Sequence, residues 1–372
     1  MSYELPIGAR LRKSPFFAET VKEGVRGFTS YNHMLMPVNY GDPIGEYWRL
    51  IDGVSMWDVS VERQVQITGP DASKLTQILV PRDVEKIRIG QGRYTPLSDN
   101  QGRLLNDPVL LKLDRDRYWL SLADSDIWLW ARGVAYGFGL DVAIEEPDVS
   151  PLALQGPKSF DVAAHVFGDW VRDLAFFAFH ETVIGDIPVV VARSGWSHQG
   201  GYEIYLKDGS RGGELWNIFR EAGAPHDIGP GAPNTVERTE SALLSFGTDT
   251  HPDSNVFEVG LEQFVNLDME ADFVGKKALR KIRDEGPRRR RAGLFLDGVQ
   301  LPTAEDHWPV LFEGRKVGVC TIAVWSLRLE RNIAIALIDN DAPEGAALTV
   351  VTPHGERDAE ETGLPFCKPG RP

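Results

Sequence analysis

The stretch Gly102-Arg-Leu-Leu-Asn-Asp-Pro-Val-Leu-Leu-Lys-Leu113 places an amide and a carboxylate, Asn106 and Asp107, at the start of an apolar run. The composition of Leu104 to Leu113 and of Tyr118 to Ala123 predicts two strands, and the polar residues between them predict a turn. Asn106 and Asp107 therefore lie at the mouth of a paired strand. A polar pair held on a rigid strand is a candidate functional site.

Two other segments share a strand, Gly-Pro, helix plan. Ile67-Thr-Gly-Pro-Asp71 precedes a predicted helix over 72–80, and Leu154-Gln-Gly-Pro-Lys158 precedes one over 158–166. This likeness indicates two related α+β halves, although Gly-Pro turns are common. Apolar residues at helical spacing predict further helices over residues 44–52, 125–137, 214–222 and 235–246.

The pattern of apolar and turn-forming residues changes near the C-terminal end of the chain. Short apolar runs split by Gly, Pro and Asn predict a small β barrel or sandwich. The predicted strands cover residues 292–296, 308–312, 316–321, 332–337 and 347–351. We place the boundary near residue 286, which gives domains over 1–285 and 286–372. The basic run Arg288 to Arg291 follows this boundary, and a solvated linker is a simpler interpretation of it than a binding patch.

Length and charge narrow the classes of function. A chain of 372 residues is long for one core, so two or three domains are expected. Its 54 acidic and 40 basic residues give a net charge of −14, which argues against nucleic acid or an anionic membrane as a partner. No apolar run approaches the ~20 residues that span a bilayer, and the N-terminus lacks a signal-peptide pattern. We expect a cytoplasmic protein, and the composition permits a homodimer.

Several common site patterns are missing. Cys320 and Cys367 have no close spacing, which excludes a disulfide framework or a CxxC site and fits a reducing cytoplasm. The eight histidines show no ligand spacing, so no metal is expected. Neither a dinucleotide fingerprint nor a phosphate loop is present. Gly195-Trp-Ser197 does not continue into a nucleophile elbow, because Gln199 stands where Gly is required.

Five stretches of the chain occur together in one known family: Met56-Trp-Asp-Val-Ser60, Gly102 to Asp107, Ala153-Leu-Gln-Gly-Pro157, Ser194 to Ile204, and Asp272-Phe-Val-Gly-Lys-Lys-Ala-Leu279. They follow the order of the folate-dependent aminomethyltransferase superfamily, and the chain resembles that superfamily over nearly its whole length. The best-known member is the T-protein of the glycine cleavage system. The resemblance implies an α+β fold of three domains in a ring, with two related α+β domains and a small C-terminal β barrel. It also implies tetrahydrofolate in a central funnel.

The resemblance also implies which residues contact the folate. Glu203 matches the glutamate that reads the pterin, a role that suits a carboxylate because adjacent N–H donors fit a bidentate acceptor; the alternative is a strand cap. Arg238 matches an arginine near the folate, with an ion pair to Glu237 or Glu240 as the alternative. Three further positions are implied as folate contacts: Trp196, which replaces a tyrosine and offers a stacking face; Tyr94, which matches a funnel-lining tyrosine; and Gln199, which replaces a glutamate.

Within the superfamily, four stretches resemble the dimethylsulfoniopropionate demethylase branch more than the T-protein: Trp57 to Gln64, Asn106 to Leu113, Ala123 to Asp126 and Ala135 to Phe138. The T-protein has two consecutive aspartates where this chain has Asn106 and Asp107. An amide takes up no proton at neutral pH, which disfavours a reaction that expels ammonia. Methyl transfer from an onium centre needs no general acid, because the leaving group departs neutral.

These features predict an enzyme that transfers a methyl group from dimethylsulfoniopropionate to tetrahydrofolate. The products would be 3-methylthiopropionate and 5-methyltetrahydrofolate. Asn106 and Asp107 are the predicted catalytic pair, with Asp107 orienting the reactants and assisting loss of the proton from N5. Related onium donors (glycine betaine, dimethylglycine), T-protein chemistry and non-catalytic folate binding remain alternatives.

An onium cation is held by aromatic faces through cation–π attraction of roughly 0.5–2 kcal/mol. Besides Trp196, the candidates for this contact are Tyr31, Trp57 and Trp325, and a place in the hydrophobic core is the alternative for each. The group that would bind the substrate carboxylate is left open among Arg63, Lys112 and Arg328.

Overall fold

A computed structural model describes residues 8–304 and 306–368. The helices of the described residues are α1 (Phe17–Lys22), α2 (Pro43–Asp52), α3 (Ala72–Leu79), α4 (Ile127–Phe138), α5 (Ser159–Phe167), α6 (Gly212–Gly223), α7 (Thr235–Glu240) and α8 (Lys276–Glu285). Among these described segments, no helix has both the length and the apolar character needed to cross a membrane.

The strands follow in chain order. They are β1 (Gly27–Tyr31), β2 (Met34–Asn39), β3 (Ser55–Asp58), β4 (Gln64–Thr68), β5 (Gln91–Tyr94), β6 (Leu97–Ser98), β7 (Leu104–Asn106), β8 (Val109–Asp114), β9 (Arg117–Ser121), β10 (Ala143–Glu145), β11 (Ser150–Gln155), β12 (Phe179–Ile184), β13 (Ile187–Ala192), β14 (Gly201–Leu206), β15 (Gly229–Gly231), β16 (Arg289–Leu296), β17 (Trp308–Phe312), β18 (Arg315–Ser326), β19 (Arg331–Asp339), β20 (Leu348–Thr352) and β21 (Gly355–Thr362).

The segment from Leu104 to Leu113 forms two strands rather than the one that was predicted. β7 pairs with β6, whereas β8 pairs with β9 in a five-stranded sheet of order β10-β4-β9-β8-β5. The break falls at Asp107 and Pro108, because proline has no N–H to donate to a ladder. Asp107 is therefore on a short connection between two sheets. The alternation of side chains along a strand does not fix the direction of its carboxylate there.

A second sheet has the strand order β12-β13-β14-β11-β3-β15. Helices α5 and α6 cover one of its faces through a buried cluster that includes Met56, Leu154 and Trp216. β3 precedes the five-stranded sheet in the chain but pairs with β11, which follows that sheet. The two sheets are thus interleaved in sequence. The division at residue 286 stays a prediction.

The uncovered faces of the two sheets meet. Leu111 and Trp119 of the five-stranded sheet share a buried cluster with Val190 and Tyr205 of the six-stranded sheet. Because side chains alternate along a strand, Glu203 lies on the same face of β14 as Tyr205. It therefore points toward the space between the sheets.

The C-terminal strands close into a barrel of order β16-β19-β18-β17-β20-β21. The predicted strand over 316–321 extends to Ser326, past a bulge between Cys320 and Ile322. Small side chains such as Ala334 and Ala336 lie in its interior cluster. Its outer residues Ile322 and Ile335 belong to a cluster against which Val236 of α7 packs, so the barrel is joined to the rest of the chain through α7.

Two predictions about this junction are wrong. The helix predicted over 235–246 ends at Glu240, and Ala242 has a positive φ of 55° that no helix continues through. The run Arg288 to Arg291 is not a solvated linker. Asp253 binds Arg288 and Arg289, Glu361 binds Arg290, and all but Arg288 lie in β16. Arg290 thus pairs within the barrel, to Glu361 of β21, whereas Arg288 and Arg289 join the start of the barrel to the loop that contains Asp253.

Candidate functional site

Asp107 is buried between the sheets. The hydroxyl of Tyr94 donates to its Oδ2 at 2.5 Å, whereas its Oδ1 is buried with no hydrogen-bond partner in the described part of the chain. Burial raises the pKa of the Asp107 carboxyl to about 7, although the Tyr94 hydrogen bond opposes this. A carboxylate with one fixed oxygen, one open oxygen and a pKa near neutrality can accept a proton from a bound molecule.

Asn106 is fully buried, and its amide group is committed to hydrogen bonds with Ala123 and Ser125. Its Nδ2 donates to the carbonyl of Ala123 at 2.9 Å and to Oγ of Ser125 at 2.8 Å. Its Oδ1 accepts from the N–H of Ala123 at 3.0 Å. This geometry gives Asn106 the role of holding Asp107 in place and leaves no N–H for a substrate.

Tyr31 is brought to the site by a tight hairpin. Asn32 and His33 both have positive φ, as a type I′ turn requires. The Asn32 amide donates to the same Ala123 carbonyl at 2.9 Å, so it and the Asn106 amide share one acceptor. Burial and the charge of Asp107 raise the pKa of Tyr31 well above its usual value. Tyr31 thus presents a neutral phenol close to Asp107.

Glu203 faces the same space from the six-stranded sheet. Its Oε2 accepts from the hydroxyls of Ser194 and Tyr205, the latter at 3.2 Å. Burial raises its pKa. Glu62 approaches from the segment before β4, and burial, followed by the charges of Glu203 and Asp107, raises its pKa. Residues of both sheets therefore line one acidic space.

Arg238 is held by a partner that neither alternative anticipated. Its guanidinium binds Oδ2 of Asp249 at 2.6 Å in a buried ion pair, not Glu237 or Glu240. Asp249 also accepts from the Ser245 N–H at 2.9 Å and from Thr321 of the barrel at 2.8 Å. The sequence around Asp249, Thr-Asp-Thr-His-Pro-Asp, is ordinary turn composition and gives no sign of this role.

The other predicted folate contacts lie nearby along the chain. Trp196 is half-buried, and its indole N–H donates to the carbonyl of Leu244 at 3.2 Å. Gln199 is buried, and its amide donates to Glu237 at 2.8 Å. Their roles toward folate stay predictions, and the contacts recorded for both are with the segment around α7.

Two predicted onium contacts, Trp57 and Trp325, gain no support from their surroundings. Trp57 is 1% exposed, packs with Leu50 and Ala153, and donates its indole N–H to Ser55 at 2.8 Å. Trp325 lies on the barrel strand β18 opposite Asn332. Neither position adds support to an onium contact, whereas Tyr31 lies beside Asp107.

The three candidates for the substrate carboxylate are all engaged. Arg63 binds Glu146 at a surface cleft of about 580 Å³, which none of the predicted folate contacts lines. Lys112 donates to the carbonyl of Val84 at 3.0 Å. Arg328 binds Glu240 at 2.6 Å.

The sequence gave no sign that Arg291 faces this region. It donates to the Ala242 carbonyl at 3.0 Å, and its Nε is buried with no hydrogen-bond partner in the described chain. Its charge acts on the pKa of Tyr94 in the lowering direction, which places it near the Tyr94 and Asp107 pair. Arg291 also lies 3.9 Å from Oδ2 of Asp249, so it is engaged like the three predicted cations, but its Nε stays open.

Both parts of the chain match known domain families. Residues 16–269 match the GCVT N-terminal domain, and residues 289–368 match the glycine cleavage T-protein C-terminal barrel domain. The crystal structure of the glycine cleavage system aminomethyltransferase T from Bartonella henselae superposes with a TM-score of 0.86 at 22% identity. The superposition covers 96% of this chain and 99% of that one. The predicted fold of two α+β domains and a barrel is confirmed.

Sequence relatives agree with this assignment. The dimethylsulfoniopropionate demethylase of Ruegeria pomeroyi is 43% identical over 350 residues, which cover 94% of this chain and 95% of the relative. An aminomethyltransferase of Parasynechococcus marenigrum is 33% identical over 327 residues, or 85% of this chain and 88% of the relative. The chain therefore belongs to the folate-dependent aminomethyltransferase family of the glycine cleavage T-protein and is an enzyme of that class.

Proposed function

We propose that this enzyme demethylates dimethylsulfoniopropionate by transferring one methyl group to N5 of tetrahydrofolate. The observation that carries the proposal is the Asn106 and Asp107 pair. Only Asp107 can exchange a proton, and its Oδ1 is buried with no partner among the described residues. The 43% identity to a dimethylsulfoniopropionate demethylase supports the same substrate.

The buried acceptors of the site fit a reduced pterin, which carries several N–H donors. Glu203 would bind two adjacent N–H groups of the pterin as a bidentate carboxylate. Asp107 would lie at the reacting edge, where its open Oδ1 can accept a hydrogen bond. Tetrahydrofolate, when bound, supplies the nucleophilic nitrogen.

The reaction requires little acid–base catalysis from the protein. The S–CH₃ bond breaks as the N–CH₃ bond forms, and sulfur keeps the electron pair and leaves as a neutral thioether. The positive charge passes to the nitrogen, which then loses its proton. Asp107 accepts that proton, since a pKa of about 7 leaves a large ionised fraction at neutral pH. The remaining contribution of the protein is alignment of the two reactants.

The substrate joins a sulfonium to a carboxylate, and the site has a candidate for each. The phenol face of Tyr31, beside Asp107, would contact the sulfonium. Arg291 would bind the carboxylate through its open Nε. Replacement of Arg291 by Gln is expected to raise KM for dimethylsulfoniopropionate about tenfold or more, because a charge-assisted hydrogen bond contributes about 1.5–3 kcal/mol. The affinity for tetrahydrofolate, measured in the same protein, should stay near the parental value.

The test is to incubate the purified protein with tetrahydrofolate and dimethylsulfoniopropionate and to follow 5-methyltetrahydrofolate and 3-methylthiopropionate by chromatography. Equal amounts of both products are expected. Glycine betaine and dimethylglycine are tested in parallel, and product from these donors alone would overturn the substrate assignment. Methylene-tetrahydrofolate formed only with an aminomethylated lipoyl protein would indicate T-protein chemistry instead.

A matched pair of variants connects the activity to the site. Asp107→Asn removes the proton acceptor, whereas Asp114→Asn changes an exposed aspartate at the far end of β8. Loss of turnover in the first variant and not in the second is the expected result. The cytoplasmic location and the homodimer stay predictions.

A further inference from the structure

Glu62 has no role in the reaction described so far, although the charges of Glu203 and Asp107, which do have one, act on its pKa. It is partly buried on the segment that leads into β4, and its backbone N–H donates to the Val59 carbonyl at 2.9 Å. Its charge acts on Tyr31 and on Tyr205, which come from the first hairpin and from the six-stranded sheet. Glu62 therefore faces the same acidic space as Glu203 and Asp107, whose charges act on its pKa.

The surroundings of Glu62 fix its position. Oγ of Ser121 lies 3.5 Å from its Oε2. The Gln64 amide donates to that same Oγ at 2.9 Å and to the Glu62 carbonyl. Both N–H groups of Gln64 are thereby used, and its Oε1 is buried without a partner in the described residues. The acidic space thus contains open acceptors at Gln64 and Asp107, as a site for a ligand rich in N–H groups requires.

Two carboxylates that face one buried space do not both ionise readily. Glu203 has two hydroxyl donors, Ser194 and Tyr205, which favour its charged form. Among the described residues, Glu62 has one hydroxyl donor, that of Ser121 at 3.5 Å. Removal from water and then the Glu203 charge raise the pKa of Glu62 well above its usual value. The shared proton therefore belongs on Glu62.

A protonated carboxyl and an ionised one recognise different edges of a reduced pterin. The N3–H and 2-amino edge presents two donors and suits a carboxylate. The N1 and N8–H edge, like the O4 and N5–H edge, presents one acceptor and one donor. A neutral carboxylic acid also has one donor and one acceptor, so it complements either of these edges.

We propose that Glu62 is a pterin-binding acid that works in its neutral form and contacts an acceptor–donor edge of the folate while ionised Glu203 contacts the two-donor edge. Glu62 would then be a positioning residue that aligns N5 with the methyl donor. This inference rests on the folate binding of the proposed function and does not depend on the identity of the methyl donor.

Glutamine substitutions separate the two carboxyl roles. Glu62→Gln keeps one donor and one acceptor, so the affinity for tetrahydrofolate should stay within about threefold of the parent. Glu203→Gln turns an N–H toward pterin donors and should weaken binding about 10- to 100-fold, the range for a lost hydrogen bond to a charged group. Glu62→Leu removes both hydrogen bonds and should weaken binding at least tenfold. Glu285→Gln, at the end of α8, is the surface control.

Binding is measured with tetrahydrofolate alone, by anaerobic titration calorimetry, on variants whose circular dichroism matches the parent. The parent should lose affinity as the pH rises and Glu62 ionises, and Glu62→Gln should lose less. The titratable groups that face Glu62 are Glu203, Tyr205, Asp107 and Tyr31, and all four are present in both proteins. Their contributions therefore cancel in the comparison.

The outcomes separate this inference from the proposed function. Equal loss of affinity in Glu62→Gln and Glu203→Gln, or parental binding by Glu62→Leu, would overturn the role of Glu62. Folate binding with the expected pattern but no demethylation of dimethylsulfoniopropionate would overturn the substrate and leave Glu62 as proposed. Failure of the parent protein to bind tetrahydrofolate would overturn both the role of Glu62 and the proposed function.

Discussion

The hydroxyl of Tyr94 donates to one oxygen of Asp107 at 2.5 Å and leaves the other oxygen without a partner in the described chain. The bond fixes the carboxylate plane and acts on the pKa of Asp107 in the direction opposite to burial. One contact thereby orients the proposed proton acceptor and keeps its pKa near neutrality. Tyr94 is itself held edge-on against Phe264, with ring centroids 4.8 Å apart.

Loss of the Tyr94 hydroxyl should move the pH profile of turnover. In Tyr94→Phe the ring packing remains, but the Asp107 carboxylate loses its donor, and its pKa rises further above about 7. The part of the pH profile in which kcat rises as Asp107 ionises should move to higher pH by about one unit. The measurement is kcat against pH in the parent and the variant. Tyr118→Phe, whose hydroxyl donates to the Arg115 carbonyl, is the control and should show no shift.

Asp107→Asn should make the protein more stable at alkaline pH and much less active. The folded pKa of about 7 lies above the unfolded value, so the folded state binds this proton more tightly. Parental stability therefore falls as the pH rises from about 4 to about 7. The asparagine variant escapes that loss, and its Tm should exceed the parental Tm at pH 8 but not at pH 4. Turnover should fall about 100-fold or more. A parental Tm that does not change relative to the variant across this range would contradict the assignment.

The main effect of Asn106→Asp should be on the stability of the fold rather than on the reaction. The substitution removes both N–H donors of the amide and turns a carboxylate toward the Ala123 carbonyl. A loss of about 2–4 kcal/mol in the free energy of unfolding is expected at pH 7, measured with urea. Asn266→Asp is a matched control, because only the Oδ1 of Asn266 is used, as an acceptor for Asp268 and Met269. Equal free energies of unfolding for the two variants would show that the Asn106 amide does not stabilise the fold.

Arg238 can be tested as an ion-pair residue and as a folate contact in one series. Arg238→Gln removes the nearer cation of buried Asp249, leaving Arg291 at 3.9 Å, and should cost up to about 3–5 kcal/mol of unfolding free energy. Adding Asp249→Asn should recover part of that stability, because the buried carboxylate charge is removed, although Arg291 then loses the carboxylate that lies 3.9 Å from it. If Arg238 also contacts folate, the double variant stays weak for tetrahydrofolate despite its recovered Tm. Parental folate affinity in the double variant would leave only the ion pair.

Much of the local structure could be predicted from the sequence. The strands around residue 110, the helices after each Gly-Pro turn and the C-terminal barrel follow from side-chain periodicity and turn residues, which act within a few positions. Two predictions failed for different reasons, one at a residue within the segment itself and one where a distant group intervened. Pro108 splits the predicted strand, and Asp249 draws the segment after Glu240 out of its predicted helix by binding Arg238 and the Ser245 N–H.

By itself the sequence determined the family, the element types and the presence of an amide and a carboxylate at positions 106 and 107. Only the tertiary structure decided what these groups contact. It commits the Asn106 amide to Ala123, places Tyr94 on Asp107 and brings Glu62 toward Glu203. The physical reason is that these contacts depend on how two interleaved sheets pack face to face. Local propensity does not encode that packing, although burial between the sheets is what raises the pKa of each carboxyl group.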